Sequence, residues 1–202
     1  MVEIIDNCTQ FAATLTCCTI SSVLYLRRRS QELFLLTCFY GCFALGLLYW
    51  TLYLVLFEST PSAFYVSEII WISSCIFLYL LQYTITGREV RGRRCRVAWI
   101  GPAAGAVMLA VFCIFGSDIP AAILRCCLMS VLARHAIRAL AFGIRRRFHI
   151  AVLCFVCAEY ALWLSSVRWL GDTLANPYFW IDFLLTGILI SLLPASGEAV
   201  AA

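Results

Sequence analysis

Residues 27–57 read RRRSQELFLLTCFYGCFALGLLYWTLYLVLF. A triple arginine closes one apolar segment, and no charged residue occurs from Leu33 to Phe57. At about 1.5 Å per residue, a helix over 32–57 is long enough to cross the roughly 30 Å hydrocarbon core of a bilayer. Apolar residues fall on every side of that helix, so no face is reserved for water. The pattern predicts a membrane span whose arginine-bearing end sits at the lipid–water boundary.

Six further apolar stretches of similar length lie on either side, at 9–26, 64–86, 97–115, 119–141, 149–170 and 178–195. Arg125, Arg134, His135 and Arg138 interrupt the fifth of the seven. Composition agrees, since the 202 residues are 63% hydrophobic and 13% charged, with a mean hydropathy of +0.93. Soluble domains are about half apolar and about a quarter charged, so lipid has to cover much of this surface. The expected fold is an all-α integral membrane protein of about seven transmembrane helices, forming one domain over 1–202. The first segment is not expected to be a signal peptide, because Glu3 and Asp6 precede it and the positive cluster follows it.

Orientation follows from the connections. Arg27–Arg29, the run from Arg88 to Arg96, and Arg145–Arg147 hold eleven of the fifteen arginines, all in the first, third and fifth loops. The N-terminal tail and the other loops carry Glu3, Asp6, Glu58, Asp118 and Asp172 instead. Positive residues stay cytoplasmic, which places the N-terminus outside and the C-terminus inside. Asn7-Cys8-Thr9 is a glycosylation sequon on the expected outer side.

Several function classes fall away. The chain has no Lys, which excludes a retinal Schiff base. The arginines sit at span boundaries, which fits topology and not nucleic-acid binding. Twelve Cys would mark a disulfide scaffold in a small secreted domain, but most of these lie in apolar segments, where they behave as small hydrophobes. Cys154-Phe-Val-Cys157 has a redox-like spacing within a predicted helix, and the inert reading is preferred. His135 and His149 are expected at the exposed interface, with no cofactor. No zincin, nucleophile-elbow, phosphate-loop or paired-carboxylate pattern is present, so an enzyme is not expected.

An internal repeat is expected as well. Cys17-Cys18-Thr19-Ile20-Ser21 corresponds to Cys126-Cys127-Leu128-Met129-Ser130, and each of these helices ends at a triple arginine. Glu58-Ser59-Thr60 then matches Asp172-Thr173, and Phe64-Tyr65-Val66-Ser67-Glu68 matches Tyr178-Phe179-Trp180-Ile181-Asp182. The repeats run over 9–86 and 119–195, with 97–115 as a linker helix. An odd linker makes the halves parallel, one recurrent design among transporters. In size, helix count and orientation this layout resembles the sugar-transporting SWEET and wider PQ-loop membrane proteins. The resemblance is architectural and implies a seven-helix carrier. The Pro-Gln pair that names the PQ-loop group is absent, so no residue roles carry over.

Ionisable residues inside spans mark candidate sites. Glu68 and Asp182 fall about one turn inside the outer ends of the third and seventh helices, Arg125 in the outer third of the fifth, and Glu159 near the middle of the sixth. Trp163 follows Glu159 by four residues and shares its face. Tyr65, Trp71, Tyr178 and Trp180 lie at similar depths, and Asn176-Pro177 opens the seventh helix, where unpaired backbone groups are expected. Arg125 is the expected partner of Glu159, while Arg134 and Arg138 are expected to snorkel to lipid phosphates. The candidate ligand residues are therefore Glu68, Trp71, Arg125, Glu159, Trp163, Asn176, Tyr178 and Asp182. Aromatic walls with several acids suit a cationic or zwitterionic solute. A small-solute transporter is the first expectation; a seven-helix sensor signalling through a separate partner chain, or a structural subunit of a complex, are the alternatives. Expected partners are the bilayer, a small-molecule ligand, and a homo-oligomeric or signalling partner.

Overall fold

The computed structural model describes residues 2–57, 65–90, 93–115, 119–169 and 171–201. Glu58-Ser59-Thr60, Phe64, Arg91 and Asp118 lie outside these residues, as does the side chain of Tyr65. Seven α-helices follow one another: α1 Val2–Arg28, α2 Gln31–Phe57, α3 Tyr65–Val90, α4 Ile100–Phe115, α5 Ile119–Ala141, α6 Arg146–Arg168 and α7 Pro177–Ala201. A 3-10 turn, Val97–Trp99, leads into α4. All seven helices are long and apolar enough to cross a membrane. The chain is a multi-pass α-helical membrane protein by that criterion.

The largest departure from the expected spans is in α1, which begins at Val2 and not near residue 9. Asp6, Asn7 and Gln10 lower the hydropathy there, yet all three are buried against the rest of the bundle. The threonines of this helix return their hydroxyls to the carbonyl four residues earlier, as Thr9 does to Ile5 (2.7 Å), Thr16 to Ala12 (2.7 Å) and Thr19 to Leu15 (2.9 Å). A hydroxyl satisfied by its own helix can face lipid without a stranded donor. Asn7 donates its side-chain amide to the Glu3 carbonyl at 2.8 Å and is buried in a helix. Its surroundings do not suit a glycan acceptor, which corrects the sequon reading. At the other end of the chain α7 runs through Pro194, a residue that forfeits one helical N–H but that α7 accommodates.

Two arginine-rich turns are sharp for local reasons. Arg29 takes a left-handed conformation (φ 51°) after α1, and Ser30 then caps α2 by accepting the Leu33 N–H at 3.2 Å. After α5, Gly143 (φ 71°) closes the helix, with the Gly143 N–H on the Leu140 carbonyl and the Ile144 N–H on the Ala139 carbonyl, both at 3.0 Å. This is the hydrogen-bond pattern of a Schellman stop, in which glycine meets no Cβ penalty.

The helices pack in a cyclic order: α1 on α2, α2 on α3, α3 on α5, α5 on α6, α6 on α7, and α7 back on α1. Six helices thus close a ring. α4 stands outside it, packed along α5. Gly101 and Gly105 make that contact close, since a Cβ on Gly105 would collide with the Ser130 hydroxyl and one on Gly101 would lie 2.8 Å from the Arg134 backbone nitrogen. Small residues one turn apart let two helix backbones approach in the absence of a hydrophobic drive between helices.

Because successive helices reverse direction, one end of the ring gathers Arg28, Arg93, Arg94, Arg96 and Arg145–Arg147, and the other gathers Glu3 and Asp172. Between them lies an apolar layer. Phe39 and Phe43 of α2 meet Phe155 of α6 edge-on at 6.0 and 6.5 Å between centroids, and Tyr40 donates to the Leu189 carbonyl at 2.7 Å. These four rings are nearly or fully buried and block the interior below the acidic end.

Candidate functional site

Above that layer the ring encloses a cavity of about 480 Å³ that opens at the acidic end. α4 does not line it. Helical spacing explains the walls: Glu68, Trp71 and Cys75 on α3, and Glu159, Leu162 and Trp163 on α6, recur at intervals of three and four and so share one face. α5 adds Arg125 and α7 adds Tyr178 and Asp182, with Asn176 just before its start. All eight residues singled out from the sequence line this one cavity. Trp180, grouped with them by depth alone, is 61% exposed on the outer surface and donates to the Leu174 carbonyl at 2.9 Å.

The charge pairing differs from expectation. Arg125 binds Glu68 at 3.1 Å and stacks its guanidinium over Trp163, 4.8 Å from the ring centroid. α5 lies between α3 and α6 in the ring, and Arg125 pairs with Glu68 on the α3 side while its contact on the α6 side is the Trp163 ring. Glu159 is 8% exposed and faces the cavity. It makes no hydrogen bond or ion pair among the described residues, and shares the space with the charges of Asp182, Arg125 and Glu68. Among the described lining residues, Arg125 is the single base against Glu3, Glu68, Glu159, Asp172 and Asp182.

Asp182 is not an interfacial acid. It is 4% exposed and accepts the Gln10 amide at 2.6 Å, while that amide also reaches the Thr186 hydroxyl at 3.3 Å. Behind it lies Asp6, 1% exposed, whose two oxygens meet no donor from elsewhere in the described residues. Asp6 of α1 lies close to Asp182 of α7, so two acidic side chains meet where these helices pack. This through-space pair has no linear motif, since its members stand at opposite ends of the chain. Asp6 itself was read as part of an external tail.

Two further lining residues escaped the sequence reading. Glu3 accepts from the Trp50 indole at 3.1 Å and donates its backbone N–H to Asp172 at 2.9 Å, tying α1 to the α6–α7 connection at the mouth. The Trp50 and Trp71 rings lie 5.9 Å apart. Trp71 lies against Gly46 of α2, where a Cβ would come within 2.6 Å of the indole nitrogen. That nitrogen is buried and has no acceptor among the described residues.

Asn176 caps the start of α7. Its side-chain oxygen accepts the Tyr178 N–H at 2.9 Å, and its amide donates to the Gly171 carbonyl at 2.8 Å. Pro177 takes the first helical position, where its missing N–H has no consequence. The expected unpaired groups at this helix entrance therefore do not include the Tyr178 N–H.

The histidines are also not where they were expected. His149 is fully buried, its ring 6.0 Å from that of His135. Gln82 lies 3.3 Å from His149 Nδ1, and Thr86 lies 2.9 Å from His135 Nε2. The pair forms an internal polar cluster between α3, α5 and α6, below the apolar layer. No group of three or more His, Cys, Asp or Glu suited to a metal occurs among the described residues. Cys154 and Cys157 are exposed on the outside of α6, on the bundle exterior and not in its core.

No protein-family model, curated protein or solved structure matches this chain. The likeness of layout to SWEET and PQ-loop proteins accordingly rests on helix number and charge order alone.

Proposed function

We propose that this chain is a small-solute carrier that takes a cationic or zwitterionic molecule into the six-helix cavity. The observation that carries the reading is the charge balance of that cavity. Among the described lining residues the one arginine is committed to Glu68, which leaves Glu159, with no partner of its own among them, facing the space beside Asp182. A desolvated carboxylate in a low-dielectric site is costly unless a cation joins it. Trp71 and Trp163 supply aromatic faces for an ammonium group, worth about 0.5–2 kcal/mol.

The cavity is open at the acidic end and stopped below by Phe39, Phe43 and Phe155. That is the geometry of one side of an alternating-access cycle. The arginine distribution orients the acidic end outward. Three helices before and three after the peripheral α4 make up the ring, which supports a 3+1+3 arrangement with parallel halves. Orientation is checked by an impermeant maleimide on intact cells: it should label Cys placed at Thr173 and spare Cys placed at Ser30, above the background of native thiols. The opposite pattern would turn the cavity inward.

Binding is tested by thermal unfolding of the purified protein with quaternary ammonium ions, diamines, amino acids and betaines, set against carboxylates at matched ionic strength. A cation or zwitterion should raise the midpoint by several degrees in a saturable way. Stabilisation by carboxylates alone would reverse the assigned ligand class.

A further inference from the structure

A second cavity, of about 420 Å³, lies at the arginine end, between the α3–α4 connection and the last turns of α5. Arg93, Arg94 and Arg96 line it from the connection, Arg134 and Arg138 from α5, and Trp99 from the 3-10 turn. Among the described residues, no acidic side chain lines it. Among the described residues, neither of the ion pairs, Arg125 with Glu68 and Arg147 with Glu198, involves these five arginines.

Three of the guanidinium groups are held in place and do not extend freely. Arg134 lies over the Trp99 ring at 4.5 Å and Arg93 over Phe142 at 5.1 Å. Arg138 donates from Nη2 to the Val90 carbonyl at 2.7 Å, and its buried Nε has no acceptor among the described residues. Val90 is the last residue of α3, so this hydrogen bond anchors the connection to α5. Stacking on an aromatic ring leaves the N–H edge of a guanidinium free to donate. The five cations around this space, three of them so held, repel each other unless an anion sits among them.

We propose that this cavity binds a phosphate group. Planar forks held by stacking and by a backbone carbonyl fit the tetrahedral oxygens of a phosphate with paired, charge-assisted hydrogen bonds. Trp99, exposed beside the site, is the type of side chain that settles at the membrane interface. A phospholipid headgroup and a soluble polyphosphate present the same chemistry. Arg134 and Arg138, expected to snorkel to lipid phosphates, both line this cavity.

The experiment compares the full-length protein with Arg93→Gln/Arg134→Gln, which leaves the Arg138 anchor in place. Pyrophosphate binding is measured by titration in detergent. Retention of phosphatidylglycerol is measured by native mass spectrometry after extraction from nanodiscs. At least one probe should bind the wild type, and the double substitution should weaken it by about ten-fold or more. Replacing Arg27–Arg29 with Gln should leave that binding unchanged. Pyrophosphate alone identifies a soluble ligand, and phosphatidylglycerol alone identifies a lipid site. Should the double variant not fold, Arg93→Lys/Arg134→Lys keeps the charge and loses the fork, and the same weakening is expected. The proposal is overturned if neither probe binds beyond a sodium chloride control, or if the arginine changes at 93 and 134 matter no more than those at 27–29.

Discussion

Glu68→Gln should destabilise the protein by about 3 kcal/mol, read as a lowered thermal midpoint in detergent. Removing one partner of a buried ion pair typically costs about 3–5 kcal/mol, because the other charge stays behind without compensation. The lower figure applies because Arg125 keeps 19% of its side chain exposed toward the cavity and remains stacked on Trp163. The glutamate side chain, at 3% exposure, is the more deeply buried partner. A second substitution separates pairing from simple loss of packing. Glu68→Gln/Arg125→Met, which removes both charges at similar volume, should recover most of the loss. If the single variant is as stable as the wild type, the Glu68–Arg125 pair is not what organises the α3–α5 side of the cavity.

Glu159→Gln should act in the opposite way, sparing the fold and removing the function. Glu159 makes no hydrogen bond or ion pair among the described residues, so the amide replaces a carboxyl that no protein group is holding. Neutralising a carboxylate in a low-dielectric site relieves a desolvation cost, and stability should be unchanged or slightly higher. Binding of a cationic solute should weaken by about 10- to 100-fold, the loss of one charge-assisted contact worth about 1.5–3 kcal/mol. A variant that binds normally but unfolds at a lower temperature would make Glu159 a structural residue.

Much of this contrast was legible in the chain. The seven spans follow from apolar length, and the shared face of Glu159 and Trp163 follows from a spacing of four. Depth estimates placed all eight candidate residues around one cavity, because depth and face survive projection onto a single helix. Partnership between helices does not survive it. α5 neighbours both α3 and α6, so whether Arg125 meets Glu68 or Glu159 depends on how the helices are turned and offset against one another, and nothing local encodes that. Asp6 was lost for a different reason. Hydropathy treats Asp6, Asn7 and Gln10 as water-seeking, whereas packing against α7 satisfies Gln10 through Asp182 and folds the segment into α1. His149 shows the same failure at the other end, where a polar ring near a span boundary turns inward to Gln82.

The most direct test of the carrier is uptake into proteoliposomes, using the cation or zwitterion that gives the largest thermal stabilisation. Saturable accumulation is expected with the wild-type protein and background uptake with Glu159→Gln, at equal reconstitution. Binding without any flux through the wild type, or undiminished flux through Glu159→Gln, would contradict the account.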